Sequence, residues 1–143
     1  MGMRITMNVA QFKELLRATV DELHRATKPA AQAGAQIIYD RARINVPVSK
    51  FAHMFHGTNQ VYGPYSPGHL RDSIYQVYSK DKSFKDVSTY HISWNHQEAP
   101  YGFMVELGTS HSAAHSFIAR SVVETRAQVR DAIKARYIAE VRK

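Results

Sequence analysis

Ile118, Val122, Val129, Ile133, Tyr137 and Val141 recur at near-heptad spacing along the end of the chain, and that stripe predicts one long helix over 116–142. Ser116 stands where an N-cap belongs, with Phe117 as the first helical residue. Arg120, Arg126, Arg130, Lys134 and Arg136 fall mostly off the stripe. A helix with one apolar face needs a second layer to cover it, so whatever precedes it must supply that layer.

The other end of the chain is also helical in pattern. Phe12, Leu15, Leu16 and Leu23, with Thr19 between them, keep the i, i+3, i+4, i+7 spacing of one helix face, and Asn8 is placed to cap the first turn. Thr27-Lys28-Pro29 predicts a break, because proline has no N–H and suits the first turn of a new helix. A second, alanine-rich helix then runs from Ala30 to about Asn45, with Ala30, Ala33 and Gly34 giving a small-residue surface for close packing and Ile37, Ile38 and Ile44 a larger one. Val46-Pro47-Val48 ends it, since the residue before proline is pushed out of the α region.

Between these helical ends the pattern changes. Residues 49–69 hold prolines and glycines among aromatics and histidines, which predicts a long ordered loop, an arm or a displaced hairpin. Ile74 to Tyr78 is a short β-branched and aromatic run, Lys80-Asp81-Lys82-Ser83 a polar turn, and Asp86 to Trp94 alternates as a strand does. Tyr101-Phe103-Val105-Leu107 also alternates, although one helical turn from Tyr101 would place Val105 beneath it; the expected sheet, over 73–109, takes the segment in. The expected architecture is therefore α+β in one domain, 1–143: long N-terminal helices over 8–45 with a break near Pro29, a small antiparallel sheet, and a long C-terminal helix.

Charge and composition narrow the function classes. The formal charge is +7 and unevenly divided: residues 1–50 and 116–143 each carry +4, and the middle −1. The basic residues are interleaved with acids along helices, as on a solvated face, while an electropositive surface for nucleic acid or an acidic partner is the sharper alternative. There is no cysteine, hence no disulfide and no thiolate metal site. No apolar run approaches the ~20 residues that cross a bilayer, so no membrane partner is expected.

Catalytic chemistry finds few footholds. His53 with His56, and His111 with His115, have ligand-like spacings, but neither pair carries the glutamate of a His-Glu-x-x-His site, and no metal or other cofactor is expected. A small histidine-dependent ribonuclease needs a base, an acid and a cation; His69 with Arg71, or His91 with His96 and Glu98, supplies those residue types. Trp94 and the tyrosines could stack bases in a nucleic-acid-binding domain, but Trp94 lies on the apolar face of its strand. Glu106 is the most informative acid. Set between Val105 and Leu107, it must either accept backbone N–H groups or pair with a cation, Arg71 being the first choice, or burial would cost several kcal/mol.

Two segments, Gly68-His69-Leu70-Arg71-Asp72-Ser73-Ile74 and Ala99-Pro100-Tyr101 through Val105-Glu106-Leu107-Gly108-Thr109, follow the alanine-rich helix with its Val46-Pro47-Val48 end and precede the helix opened by Phe117. In that order the chain resembles the head–tail joining and tail-completion proteins of long-tailed bacteriophages, the group similar to the lambda tail-completion protein. The likeness covers most of residues 30–125 and is carried by Gly68, Leu70, Arg71, Ser73, Ile74, Pro100, Tyr101, Val105, Glu106, Gly108, Thr109 and Phe117. The chain departs from the pattern in a longer linker between Val48 and Gly68, in Gly102 where alanine is usual, and in His115-Ser116 where a pair such as Arg-Pro is common.

The resemblance implies a structural, non-enzymatic protein of the virion neck, made in the host cytoplasm. It would form a homo-oligomeric ring, hexameric by analogy with tail symmetry, at the top of the tail tube. Its partners would be the tail tube or tail terminator protein and the head connector protein, with contact to the passing viral DNA. Ring subunits need two different complementary patches. The 49–67 segment, with Phe51, Phe55, Tyr62 and Tyr65, is the expected interface arm, ordering on a neighbour.

Overall fold

The computed structural model describes residues 2–4, 6 and 8–143; positions 1, 5 and 7 lie outside the described residues. Its elements run α1 (Val9–Asn45), β1 (His53–His56), β2 (Val61–Tyr65), α2 (His69–Asp72), β3 (Ile74–Tyr78), β4 (Tyr90–Trp94), α3 (Gly102–Leu107) and α4 (Phe117–Val141). The class is α+β: a long N-terminal helix, two small antiparallel sheets and a long C-terminal helix.

The break expected at Pro29 does not occur. α1 is continuous for 37 residues, ~55 Å of helix, with Pro29 inside it. An interior proline costs about 3 kcal/mol through its missing N–H and ring clash. That cost is offset because Ala26, Ala30 and Gly34 form a buried stripe running across the proline, which meets α4 at Gly34, while Ala35 and Ala42 are buried as well, Ala42 in the core beside Ile74 and Trp94. The helices approach closely: a Cβ on Gly34 would stand 2.8 Å from the Ile133 side chain. The α1 start is a capping box, Asn8 Oδ1 accepting from the Gln11 amide at 2.8 Å and Gln11 Oε1 accepting from the Asn8 amide at 3.1 Å.

On α4 the stripe of large residues is only partly covered, Ile118, Val129, Tyr137 and Val141 being half-buried, and the fully buried positions are others. Phe117, Ser121 and Thr125 are buried, whereas Val122 and Ile133 are exposed. The two hydroxyls are tolerated inside because each donates to the carbonyl one turn back, Ser121 to Phe117 and Thr125 to Ser121. Where α1 ends and α4 begins, Arg41 Nε reaches Glu124 at 2.8 Å, and Asn45 Nδ2 donates to Ser121 Oγ at 2.9 Å and to Glu124 Oε2 at 3.0 Å. The hydrogen bonds from Asn45 and Arg41 hold the Glu124 carboxyl below its ordinary range.

The 49–69 segment is a hairpin, β1 pairing antiparallel with β2, with a register shift between His53 and Phe55. The second sheet pairs Ile74 with Trp94 through Tyr78 with Tyr90. It is shorter than the sequence predicts at both ends. Asp86 to Thr89 lie outside β4, in a turn held by the Phe84–Val87 bridge. Residues 102–107 are helical, because helical spacing buries Tyr101, Gly102 and Glu106 while releasing Phe103 and Leu107 to solvent; a strand would have put Tyr101, Phe103, Val105 and Leu107 on one face. Ala42, Val46, Leu70, Ile74, Trp94, Ala99, Tyr101 and Phe117 make the core, where every element except the exposed ends of the helices converges.

Candidate functional site

The two sequence motifs meet at the end of the molecule where α4 begins. Gly68 precedes α2 at φ +83°, a left-handed conformation that only glycine adopts without strain, and a Cβ there would meet the Arg71 guanidinium at 2.6 Å. α2 buries Leu70, and Ser73 closes it, its hydroxyl donating to the Leu70 carbonyl at 2.7 Å. The Ser73 carbonyl accepts from the Asn95 amide at 2.9 Å, tying the motif to the loop after β4, and Ile74 enters the core as the first residue of β3.

From the second motif, Glu106 reaches across to α4. One carboxylate oxygen accepts from the Ile118 amide at 3.0 Å and the other from the Ala119 amide at 3.1 Å. These are orphan donors of the first helical turn, at the positive end of the helix dipole. The same residue's carbonyl accepts from the Ser116 hydroxyl at 3.0 Å, and the Val105 carbonyl from the His115 amide at 2.7 Å. Ser116 occupies the N-cap position but makes no side-chain cap, so the expected role of that serine passes to Glu106. Gly108 makes the reversal possible at φ +80° and ψ 172°, with its would-be Cβ 2.7 Å from the Ala114 amide nitrogen. Thr109 Oγ1 then accepts from the amides of His111 at 3.2 Å and Ser112 at 3.0 Å, folding the loop that leads to Phe117.

Arg71 is not the partner of Glu106. Its guanidinium lies on the surface, 3.1 Å from Asp72, which Arg43 also approaches at 3.5 Å, and these cations lower the Asp72 carboxyl below its usual range, Arg71 foremost. Helix amides were the stronger claimant because they stand within reach of the buried acid, whereas Arg71 would have lost solvation to join it.

Tyr101 sits at the centre of an aromatic seam. His53 packs edge-on at 4.8 Å between centroids, Tyr65 lies at 4.9 Å and Phe55 at 6.3 Å. The Tyr101 hydroxyl shares a 3.2 Å hydrogen bond with His69 Nδ1, and burial, with Tyr65 nearby, pushes the phenol up to about 12. Beside the seam a cavity of about 310 Å³ is lined by Pro47, Val48, His53, His69, Leu70 and Tyr101 among others. Sequence reasoning did not join His53 to His69 through Tyr101; the prolines and glycines of the hairpin between them concealed the β pairing that does so.

The remaining candidates are scattered. Phe55 and Tyr65 pack inward against the core, while Phe51 and Tyr62 stay exposed, so the expected arm is a folded hairpin with half its aromatics already used. Pro100 is half-buried ahead of Tyr101, and Val105 packs on the core from α3. Among the described residues no hydrogen bond links His69 to Arg71, or His91 to His96 or Glu98; His96 instead packs tilted against Trp94, 4.6 Å between ring centroids. No three of the described histidines and carboxylates are grouped to hold a metal ion, and among the described residues no helix is long and apolar enough to cross a membrane.

Gly102 has a local explanation. The Trp94 indole is pressed against it, so a Cβ would overlap the ring, and the buried indole N–H finds no acceptor among the described residues. No protein-family model, no curated protein and no solved structure matches this chain.

Proposed function

We propose that this chain is a structural subunit of a long-tailed phage neck, a tail-completion or head–tail joining protein that works as a ring between tail tube and head connector. The observation that carries the proposal is the use made of Glu106, the acid at the heart of the resembling segment. Each of its oxygens accepts from an amide of α4 and the side chain is buried, so the acid is turned into the fold rather than toward a cleft. A carboxylate so engaged is a fastener between α3 and the long helix α4. The motif residues Leu70, Ser73, Ile74, Tyr101 and Phe117 are likewise buried scaffold. What is left for partners is the outside: exposed apolar residues on both long helices and a +4 charge at each end of the chain.

The test is light scattering after size exclusion, on the chain alone and with a tail-tube protein. A ring, or self-association in the partner's presence, supports the neck role. Strict monomers that cleave RNA, with cleavage lost in His69→Ala, would replace it with a ribonuclease. Duplex binding by a monomer with steep salt dependence would replace it with a nucleic-acid-binding domain.

A further inference from the structure

α1 is longer than anything that covers it. Its Ala26 turn lies beside Glu140 and Val141 at the end of α4, and every residue from Val9 to Glu22 is exposed, an overhang of ~20 Å. That overhang is not polar. Phe12, Leu15, Leu16 and Val20 are 51, 53, 48 and 41% exposed and share one face. An isolated helix of this length is marginal in water, yet this one has a capping box encoded at its first turn. A helix specified to its tip, and apolar along one side, is built to be covered.

A matching surface lies on the same chain: Val129 and Ile133 touch α1 at Gly34 with one side and leave the other side of α4 open. Along α4, Val129, Ile133 and Tyr137 form an open apolar groove of about 510 Å³, bordered by Arg126, Arg130 and Lys134. Phe12 to Leu23 spans ~17 Å of helix, and Arg126 to Ile138 spans ~18 Å. Residues 9–23 carry two Lys/Arg against three Asp/Glu, with Glu22 bordering the apolar face, whereas Arg126 and Lys134 have no acidic partner among the described residues. Within one chain the overhang begins where α4 ends, at Glu140 and Val141, whereas the groove lies beside Gly34, so the overhang of one chain meets the groove of another.

We propose that the α1 overhang of one copy docks along the Val129–Ile133–Tyr137 groove of α4 in a second copy. Ridges of Phe12, Leu15, Leu16 and Val20 enter the groove, and its cations face the acidic flank. The contact joins two different patches, as a closing ring requires. It is argued from the helix surfaces alone and holds whether or not the assembly is a phage neck.

The chain has no cysteine, so a crosslink reports on placed thiols only. Leu16→Cys and Lys134→Cys, both at exposed positions, are purified separately, mixed, oxidised and resolved by mass spectrometry. The expected product is the mixed dimer, in several-fold excess over either homodimer. Homodimers of the Leu16→Cys variant as the sole product would mean that arm pairs with arm and would overturn the proposal. In parallel, Leu15→Asp/Leu16→Asp is expected to keep its melting temperature and lose the assembled species in light scattering. A wild-type chain that stays monomeric at high micromolar concentration overturns the contact, even if the arm then captures a tail protein or nucleic acid. In that event joining to a tail tube still supports the neck role, so the two failures are separable.

Discussion

Glu106 and Ile118 are 12 residues apart in sequence and joined by a 3.0 Å hydrogen bond from the Ile118 amide to the Glu106 carboxylate. Between them the chain leaves α3, reverses at Gly108 and enters α4, so this bond closes the loop and fixes where the long helix starts. With the Ala119 amide on the other oxygen, the buried acid takes the place of water at two donors of the first turn, directly after the fully buried Phe117.

Removing that cap should therefore cost more than a surface cap does. We expect Glu106→Ala to destabilise folding by about 2 kcal/mol, the upper range for a lost N-cap, and Glu106→Gln by less because one acceptor remains. Urea unfolding measures both. An unchanged midpoint for Glu106→Ala would contradict a structural carboxylate.

Gly102→Ala is expected to destabilise by about 1–3 kcal/mol, since the new methyl must displace the Trp94 ring. Trp94 is the sole tryptophan, so its fluorescence reports the displacement directly. Gly102→Ala/Trp94→Leu should recover part of the loss. A double variant that merely adds the two single losses would place the cause elsewhere.

Gly108→Val should be far more damaging than Gly2→Val. Gly108 combines a backbone conformation close to glycine-only with a neighbouring amide at 2.7 Å from any Cβ, a strain of about 1–3 kcal/mol before the clash, whereas Gly2 has open space around it. Equal melting temperatures would remove the inference.

Tyr101 gives the fold an alkaline limit. Its phenol is held neutral up to about 12 by burial, with Tyr65 adding repulsion, while in the unfolded chain it ionises near 10. Above 10 the unfolded state loses a proton that the folded state keeps, so stability falls as pH rises from about 10 to 12 and is flat in this respect below that window. Tyr101→Phe should flatten the slope there. An identical slope in the variant would deny Tyr101 that role.

Arg71→Ala, by contrast, should change stability by less than about 1 kcal/mol, because its ion pair with Asp72 is at the surface. A loss as large as that of Glu106→Ala would return Arg71 to the position expected from sequence.

Helical ends around a β middle were legible because long stripes of one period mark helix even where, as at Phe12 to Val20 and at Val122, the stripe is left exposed. The Asn8 cap and the stop at Val46-Pro47 were legible for the same local reason, a specific backbone donor lost or satisfied. Pro29 misled because a local penalty was outweighed by packing along Ala26, Ala30 and Gly34, which becomes visible only once α4 lies against them. Residues 101–107 misled because alternating aromatics fit a strand and a helix equally until Glu106 has somewhere to point. The backbone-amide half of the Glu106 expectation follows from elementary desolvation; which helix supplies the amides depends on a reversal at Gly108 that short-range pattern does not encode.

Hydrogen exchange at the amides of Ile118 and Ala119 examines the fastening of α4 most directly. If Glu106 holds the helix start, both amides are protected in the native chain and lose that protection selectively in Glu106→Ala, while amides in the middle of α4 change far less. Free exchange at both positions in the unmodified chain would mean that the carboxylate does not cap the helix, and a solvent-facing acid would reopen the search for chemistry at this end of the molecule.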